Sequence, residues 1–299
     1  MGRHRPAAAL AIVLSLSLLM PAAEAGGRAA LVIGMSGYRN APPLANPVND
    51  AKDMSAVLRE LGFAVTEAAD LDKRLLDETI RGFANRIAGA DVALIFYAGH
   101  GLQVAGQNYL LPIDAKLESE RDLDFEAVGL EFVLRQMESG RNGRTSIVIL
   151  DACRDNPLAR NLARAMGVRS DAFPRGLAPA QSGAGMFIAF STQPGNVAYD
   201  GAGRNSPFAA ALLRHLRGPA KNISATMVDV RRDVMAATAG RQVPWDHSAL
   251  TGDFYFRPAG QVITGSIPGS PPPTAEEARR QERVRRLDEE LGRRPPAGP

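Results

Sequence analysis

The chain holds one cysteine, Cys153, in the stretch VILDACRDNP (148–157), and a histidine in a comparable setting, His100 in YAGHG (97–101). A thiol has a pKa of about 8.5 and is only a few per cent ionised at neutral pH, so a nucleophilic sulfur needs a base, usually imidazole. The two residues follow closely on apolar runs, DVALIFYA (91–98) and TSIVILDA (145–152). The glycines beside His100 let the backbone approach a ligand or take up positive φ. Asp151 and Asp155 cannot be what activates Cys153, because a carboxylate beside sulfur disfavours the thiolate. Asp155 receives no catalytic role. The competing reading is a buried structural thiol and an unrelated loop histidine. One Cys and one His fall short of the ligand set of a zinc site.

The elements that must position this pair are readable from hydrophobic patterning. ALVIG (30–34), AVTEA (64–68), residues 91–98 and 145–152, GMFIAFS (185–191) and DFYF (253–256) read as strands, mostly buried on both faces because their apolar residues run on without alternation. Residues 48–61, 73–88, 125–138, 206–217 and 224–238 read as helices. Strands alternating with helices predict an α/β sandwich, a largely parallel sheet with helices on both faces. Functional groups in such sheets gather beyond the carboxyl ends of the strands, where His100 and Cys153 both fall. His215 lies in an amphipathic stretch and His247 in a polar loop. Residues 154–184 read as an exposed loop rich in Arg, Pro and Gly. A Pro/Gly linker and a charged tail occupy residues 259–299, the tail being a solvated helix, a disordered segment or a partner-binding segment.

Residues 1–25 carry Arg3 and Arg5, the apolar run Ala7–Met20 and then Ala23-Glu24-Ala25, the three-part pattern of a secretory signal. A bilayer-spanning helix needs about 20 apolar residues. This run has 14, so the expectation is a cleaved signal, export to the periplasm or outside, and no stable membrane anchor afterwards. Loss of the segment lowers the formal charge from +3 to +2, since it carries two arginines and one glutamate. That near-neutral balance gives no electrostatic case for nucleic acid. A single cysteine excludes an intramolecular disulfide framework.

The blocks ALVIGMSGYRNAPPLANPVNDAKDMSAVLRELGF, ALIFYAGHG, VILDACRDNP and GMFIAFSTQPGNVAYDGAGRNSPFAAALLRHL resemble, in order, the landmarks of the caspase and metacaspase family of cysteine peptidases. The caspase signature Q-A-C-[RQG]-G has its histidine about 50 residues upstream; here the separation is 53 residues. YAGHG and DAC are closer to metacaspases and their bacterial relatives. The resemblance implies a caspase-like three-layer sandwich around a six-stranded sheet over residues 26–258, with a large-subunit-like part (28–153) and a small-subunit-like part (185–257). It implies Cys153 as nucleophile, His100 as base, and the backbone N–H groups of Gly101 and Cys153 as the oxyanion hole.

Caspases cut after aspartate with the help of an arginine at the position matching Asp200, which follows Tyr199 here and reverses the charge. Asp50 and Asp151 match acidic pocket residues of metacaspases. Three carboxylates favour a guanidinium, so the implied substrates are proteins or peptides cleaved after Arg, then Lys. Each acid also has a plain reading: Asp50 as a helix cap, Asp151 as an acceptor of backbone N–H bonds, Asp200 as a turn residue beside Gly201. Ala98 stands where metacaspases often have a pocket serine. Arg154, Arg160, Arg164, Arg169 and Arg175 crowd a connection often nicked in the family, which suggests self-cleavage. Calcium activates many metacaspases, which keeps calcium activation open for this chain; no acidic cluster is assigned to it, and no metal or cofactor is expected. The alternative is a catalytically silent caspase-like scaffold that binds partners. A nucleotide-binding module rests only on GMSG (34–37), which has two glycines where the fingerprint needs three.

Overall fold

The computed structural model describes residues 27–152 and 176–257. The signal segment, Cys153, Asp155, the arginine-rich stretch through Arg175 and the tail after Arg257 lie outside the described residues.

The long apolar runs build the centre of one six-stranded sheet. Its strands are β1 (Arg28–Gly34), β2 (Phe63–Ala69), β3 (Val92–Ala98), β7 (Thr145–Asp151), β8 (Met186–Phe190) and β9 (Trp245–Ser248), in the order β2-β1-β3-β7-β8-β9. The first five pair parallel and β9 pairs antiparallel to β8. Every residue of β3 and β8 is buried, as continuous apolar runs require in a sheet covered on both faces. Period-two alternation divides β3 between the two layers. Ala93, Ile95 and Tyr97 join a core with Leu76, Ile80 and Phe83 of α2 (Lys73–Ile87) and Val133, Leu134 and Met137 of α4 (Leu130–Glu138). The opposite layer comprises α1 (Pro47–Glu60), α5 (Pro207–Arg217) and α6 (Ile223–Ala237). Together these layers form an α/β sandwich.

Three expectations need correction. DFYF (253–256) is not a strand of the sheet: Tyr255 makes only an isolated bridge to Asn222, and Phe254 and Phe256 are apolar because they pack edge to face, ring centroids 5.0 Å apart. The sixth strand is β9, and it includes His247, expected in a loop. Residues 125–138 are not one helix but the end of α3 (Leu123–Glu126), the short strand β6 (Val128–Gly129) and α4. β6 belongs to a second, antiparallel sheet with β4 (Gly101–Val104) and β5 (Gln107–Leu110) that starts one residue after His100.

Buried Arg141 fastens the edge opposite the strand carboxyl ends. Its guanidinium donates to Ser146 Oγ (2.9 Å) and to the carbonyls of Ile87 (2.7 Å), Ala90 (3.1 Å) and Thr145 (2.7 Å). Burial, with Arg144 nearby, pushes its pKa down to about 10.

Candidate active site

β3 and β7 are neighbours, with Ala98 paired to Asp151, and the Gly99 N–H donates to the Asp151 carbonyl at 3.2 Å. Beyond this rung the chain turns through Gly99-His100-Gly101. A Cβ on Gly99 would lie 2.7 Å from Tyr38 Oη, 2.8 Å from Tyr97 Oη and 2.9 Å from Met35 Cβ, so only glycine fits. A Cβ on Gly101 would lie 3.1 Å from that of Ala152, the residue that ends the described part of the β7 segment. Cys153 is the next residue in the sequence.

The surrounding chain holds His100 at both backbone and ring. Its N–H donates to Tyr38 Oη (2.7 Å), and its carbonyl accepts from Tyr97 Oη (2.8 Å) and from the Leu111 N–H (3.1 Å). The imidazole lies 4.4 Å, centroid to centroid, from the tilted Tyr38 ring. Its Nε2 is 3.0 Å from the Pro42 carbonyl oxygen. A carbonyl only accepts, so Nε2 carries the proton, and in the neutral ring the lone pair belongs to Nδ1. The side chain is buried. His215 instead bonds Asp233 at 2.8 Å between α5 and α6.

Asp50 and Asp151 are fully buried, and one serine links them. The Ser206 N–H donates to Asp50 Oδ1 at 3.1 Å, and the Ser206 hydroxyl donates to Asp151 Oδ2. That hydroxyl also accepts the Ala209 N–H (2.9 Å), capping α5. Having one proton, it must send it to Asp151. Asp50 does not cap α1, as one reading allowed, because the N-cap is Asn46. The Asn46 side-chain amide donates instead to the Asp200 carbonyl, while Asp200 Oδ2 accepts the Ala45 N–H at 2.9 Å. Tyr199 donates its N–H to Gln242 Oε1 (3.0 Å), and the Arg241 guanidinium lies 4.8 Å from its ring centroid.

A neighbouring cluster was not anticipated from the sequence. Asp53, one helical turn from Asp50, accepts from Arg204 Nε and Nη2, both at 2.9 Å, and from Asn205 Nδ2 at 3.0 Å. Burial pushes the Asp53 carboxyl up, but hydrogen bonds from Arg204 and Asn205 and the charge of Arg204 outweigh it and leave the pKa below its ordinary value. Arg204 is raised in turn, chiefly by its hydrogen bonds to Asp53. Among the described residues, no group of three or more His, Cys, Asp or Glu is placed to hold a metal ion.

The six-stranded, mostly parallel sheet with helices on both faces places a histidine just after β3 and two buried acids at the same edge, the arrangement of a three-layer α/β sandwich. Residues 27–255 match the caspase domain, and the chain belongs to the caspase domain family of cysteine peptidases. It is similar to the human (Homo sapiens) mucosa-associated lymphoid tissue lymphoma translocation protein 1, with 28% identity over 127 residues, 42% of this chain and 15% of the relative. The mouse (Mus musculus) homologue shows 27% identity over 127 residues with the same shares. The matched stretch thus spans 15% of the length of these curated relatives. The crystal structure of caspase-1 from Spodoptera frugiperda superposes with a TM-score of 0.58 at 20% identity, covering 81% of this chain and 94% of that one, which establishes the fold.

Proposed function

We propose that the protein is an exported cysteine endopeptidase that cleaves proteins or peptides after Arg and, less well, after Lys. Cys153 Sγ attacks the scissile carbonyl carbon, and His100 Nδ1 takes the thiol proton and passes it to the leaving amine. The resulting thioester is hydrolysed by a water that gives its proton to the same nitrogen. The N–H groups of Gly101 and Cys153 hold the oxyanion. The observation that carries the specificity is the Asp50–Ser206–Asp151 bridge at the sheet edge where His100 lies. Carboxylates gathered there suit a guanidinium, which binds them through paired N–H donors, better than the point charge of lysine. Asp200 and Tyr199 contribute to the rim of the same pocket.

Hydrolysis of Arg-terminated fluorogenic peptides, abolished by Cys153→Ala, is the expected result. Activity that survives Cys153→Ala removes the mechanism. A positional-scanning peptide library run with and without calcium reads the pocket's charge preference and any activation together. N-terminal sequencing of protein recovered from the medium or periplasm tests export. Intact mass of an active preparation tests cleavage within residues 154–184. A partner-binding scaffold without turnover, the alternative, predicts no hydrolysis of any library member.

A further inference from the structure

Three consecutive residues, Arg204, Asn205 and Ser206, dock on one face of α1. Arg204 and Asn205 bond Asp53, and Ser206 bonds Asp50, three residues earlier on the helix. Ser206 then continues to Asp151 at the end of β7. The turn leading into this tripeptide, Asp200 to Gly203, has a glycine at φ 79°, and residues 201–204 are exposed. Such a turn supplies little rigidity of its own, since a glycine-rich backbone loses the most freedom on ordering. Its order comes from its anchors: Asp200 on Ala45 and Asn46 at one end, Arg204 and Asn205 on Asp53 at the other.

We infer that the Arg204–Asp53 fork is a positioning device for specificity: it sets Ser206, and through Ser206 the spacing of Asp50 and Asp151, for an incoming guanidinium. Asp53 is nearly inaccessible to solvent, with 6% of its side chain exposed, so the pair is anchored on a fixed partner and is not a loose surface contact. The planar fork has two donors in register with two carboxylate oxygens and defines an orientation that a single contact does not. Arg204 also lies within electrostatic reach of Asp50, three residues before Asp53 on α1. This inference rests on the proposed cleavage after basic residues.

The test measures kcat/KM for matched Arg and Lys peptides with active enzyme titrated, and takes their ratio, from which any loss of folded protein cancels. Arg204→Ala and Asp53→Asn should each lower the Arg-to-Lys ratio at least about fivefold, through KM for the Arg peptide and not through kcat. The double variant should be no worse than either single one. Arg204→Lys, which keeps the charge and loses the fork, should fall between. A brace that only stabilises the fold would lower Tm and leave the ratio at its wild-type value, and that outcome overturns the inference while leaving the peptidase reading standing. Should Arg204→Ala fail to fold, the ratios of Arg204→Lys and Asp53→Asn decide between the same two outcomes. A wild-type enzyme without preference for basic residues overturns both readings.

Discussion

His100 Nε2 faces the carbonyl oxygen of Pro42 at 3.0 Å, so a backbone group of the segment leading into α1 orients the imidazole. This contact does for the ring what an aspartate does in other nucleophile and base pairs: it fixes the tautomer and aims Nδ1. Because the same segment reaches Asp200 through Ala45 and Asn46, the proposed base and the proposed pocket share one support.

Tyr38→Phe keeps the tilted ring against His100 but removes the hydroxyl that accepts the His100 N–H. A buried donor left without its acceptor costs about 1–3 kcal/mol. The variant should melt several degrees lower, and the turn carrying His100 should lose definition, lowering kcat more than it raises KM. Calorimetry and steady-state kinetics on an Arg peptide check both parts.

Asp50→Asn and Asp151→Asn each remove one charge and leave an amide of similar shape. A charge-assisted hydrogen bond contributes about 1.5–3 kcal/mol, so kcat/KM for Arg peptides should fall roughly ten- to a hundredfold in either variant, the loss falling mainly on KM. In Asp151→Asn the Ser206 hydroxyl can still donate to the side-chain oxygen, so its fold should survive well enough for the kinetics to be read.

The sheet was legible where burial is complete. β1, β3, β7 and β8 announce themselves as unbroken apolar runs because both faces of each are covered. The edge strand β9, with the sequence WDHS, carries no such signal because it is paired on one side only and three of its four residues are exposed. DFYF misled for the converse reason: Phe254 and Phe256 are apolar to cover the Arg28 and Phe63 region, where the guanidinium lies 5.6 Å from the Phe254 ring centroid, without any strand forming. The β4–β5 hairpin was hidden because its turn residues are Ala105 and Gly106, both at positive φ, where asparagine and glycine would have been the recognisable pair. Within the site, His100 was found from its place after a strand, and Asp50 and Asp151 from the resemblance to the acidic pocket residues of metacaspases. Asp53, Arg204 and Ser206 were not, since a charged residue in a helix or a glycine-rich turn reads as a solvated one until a distant partner meets it.

Arg141→Met tests the fold apart from the chemistry. The substitution keeps the apolar stem but strips hydrogen bonds from the carbonyls of Ile87, Ala90 and Thr145 and from Ser146 Oγ. Leaving buried acceptors without their donor costs about 1–3 kcal/mol, which in a domain of this size lowers Tm by several degrees. Activity per folded molecule should stay at the wild-type level, because the arginine lies at the edge of the sheet opposite the site. Thermal melts paired with active-site titration separate the two effects.

The depressed pKa of Asp53 makes the α1 anchor sensitive to acid. A carboxyl whose folded pKa lies below its unfolded value contributes stability that is present above the unfolded value, about pH 4, and is lost as pH falls through the folded value. Wild-type protein should therefore lose urea resistance below about pH 4 more steeply than Asp53→Asn, which has no carboxyl to protonate. Near neutrality Asp53→Asn should be the less stable of the two, because Arg204 then faces an amide, and the difference should shrink as acid protonates Asp53 in the wild type. Urea midpoints measured across this range give the difference curve directly. If the two proteins run parallel throughout acid unfolding, Asp53 is not held ionised by Arg204, and the fork makes no electrostatic contribution to the docking of the 204–206 segment on α1.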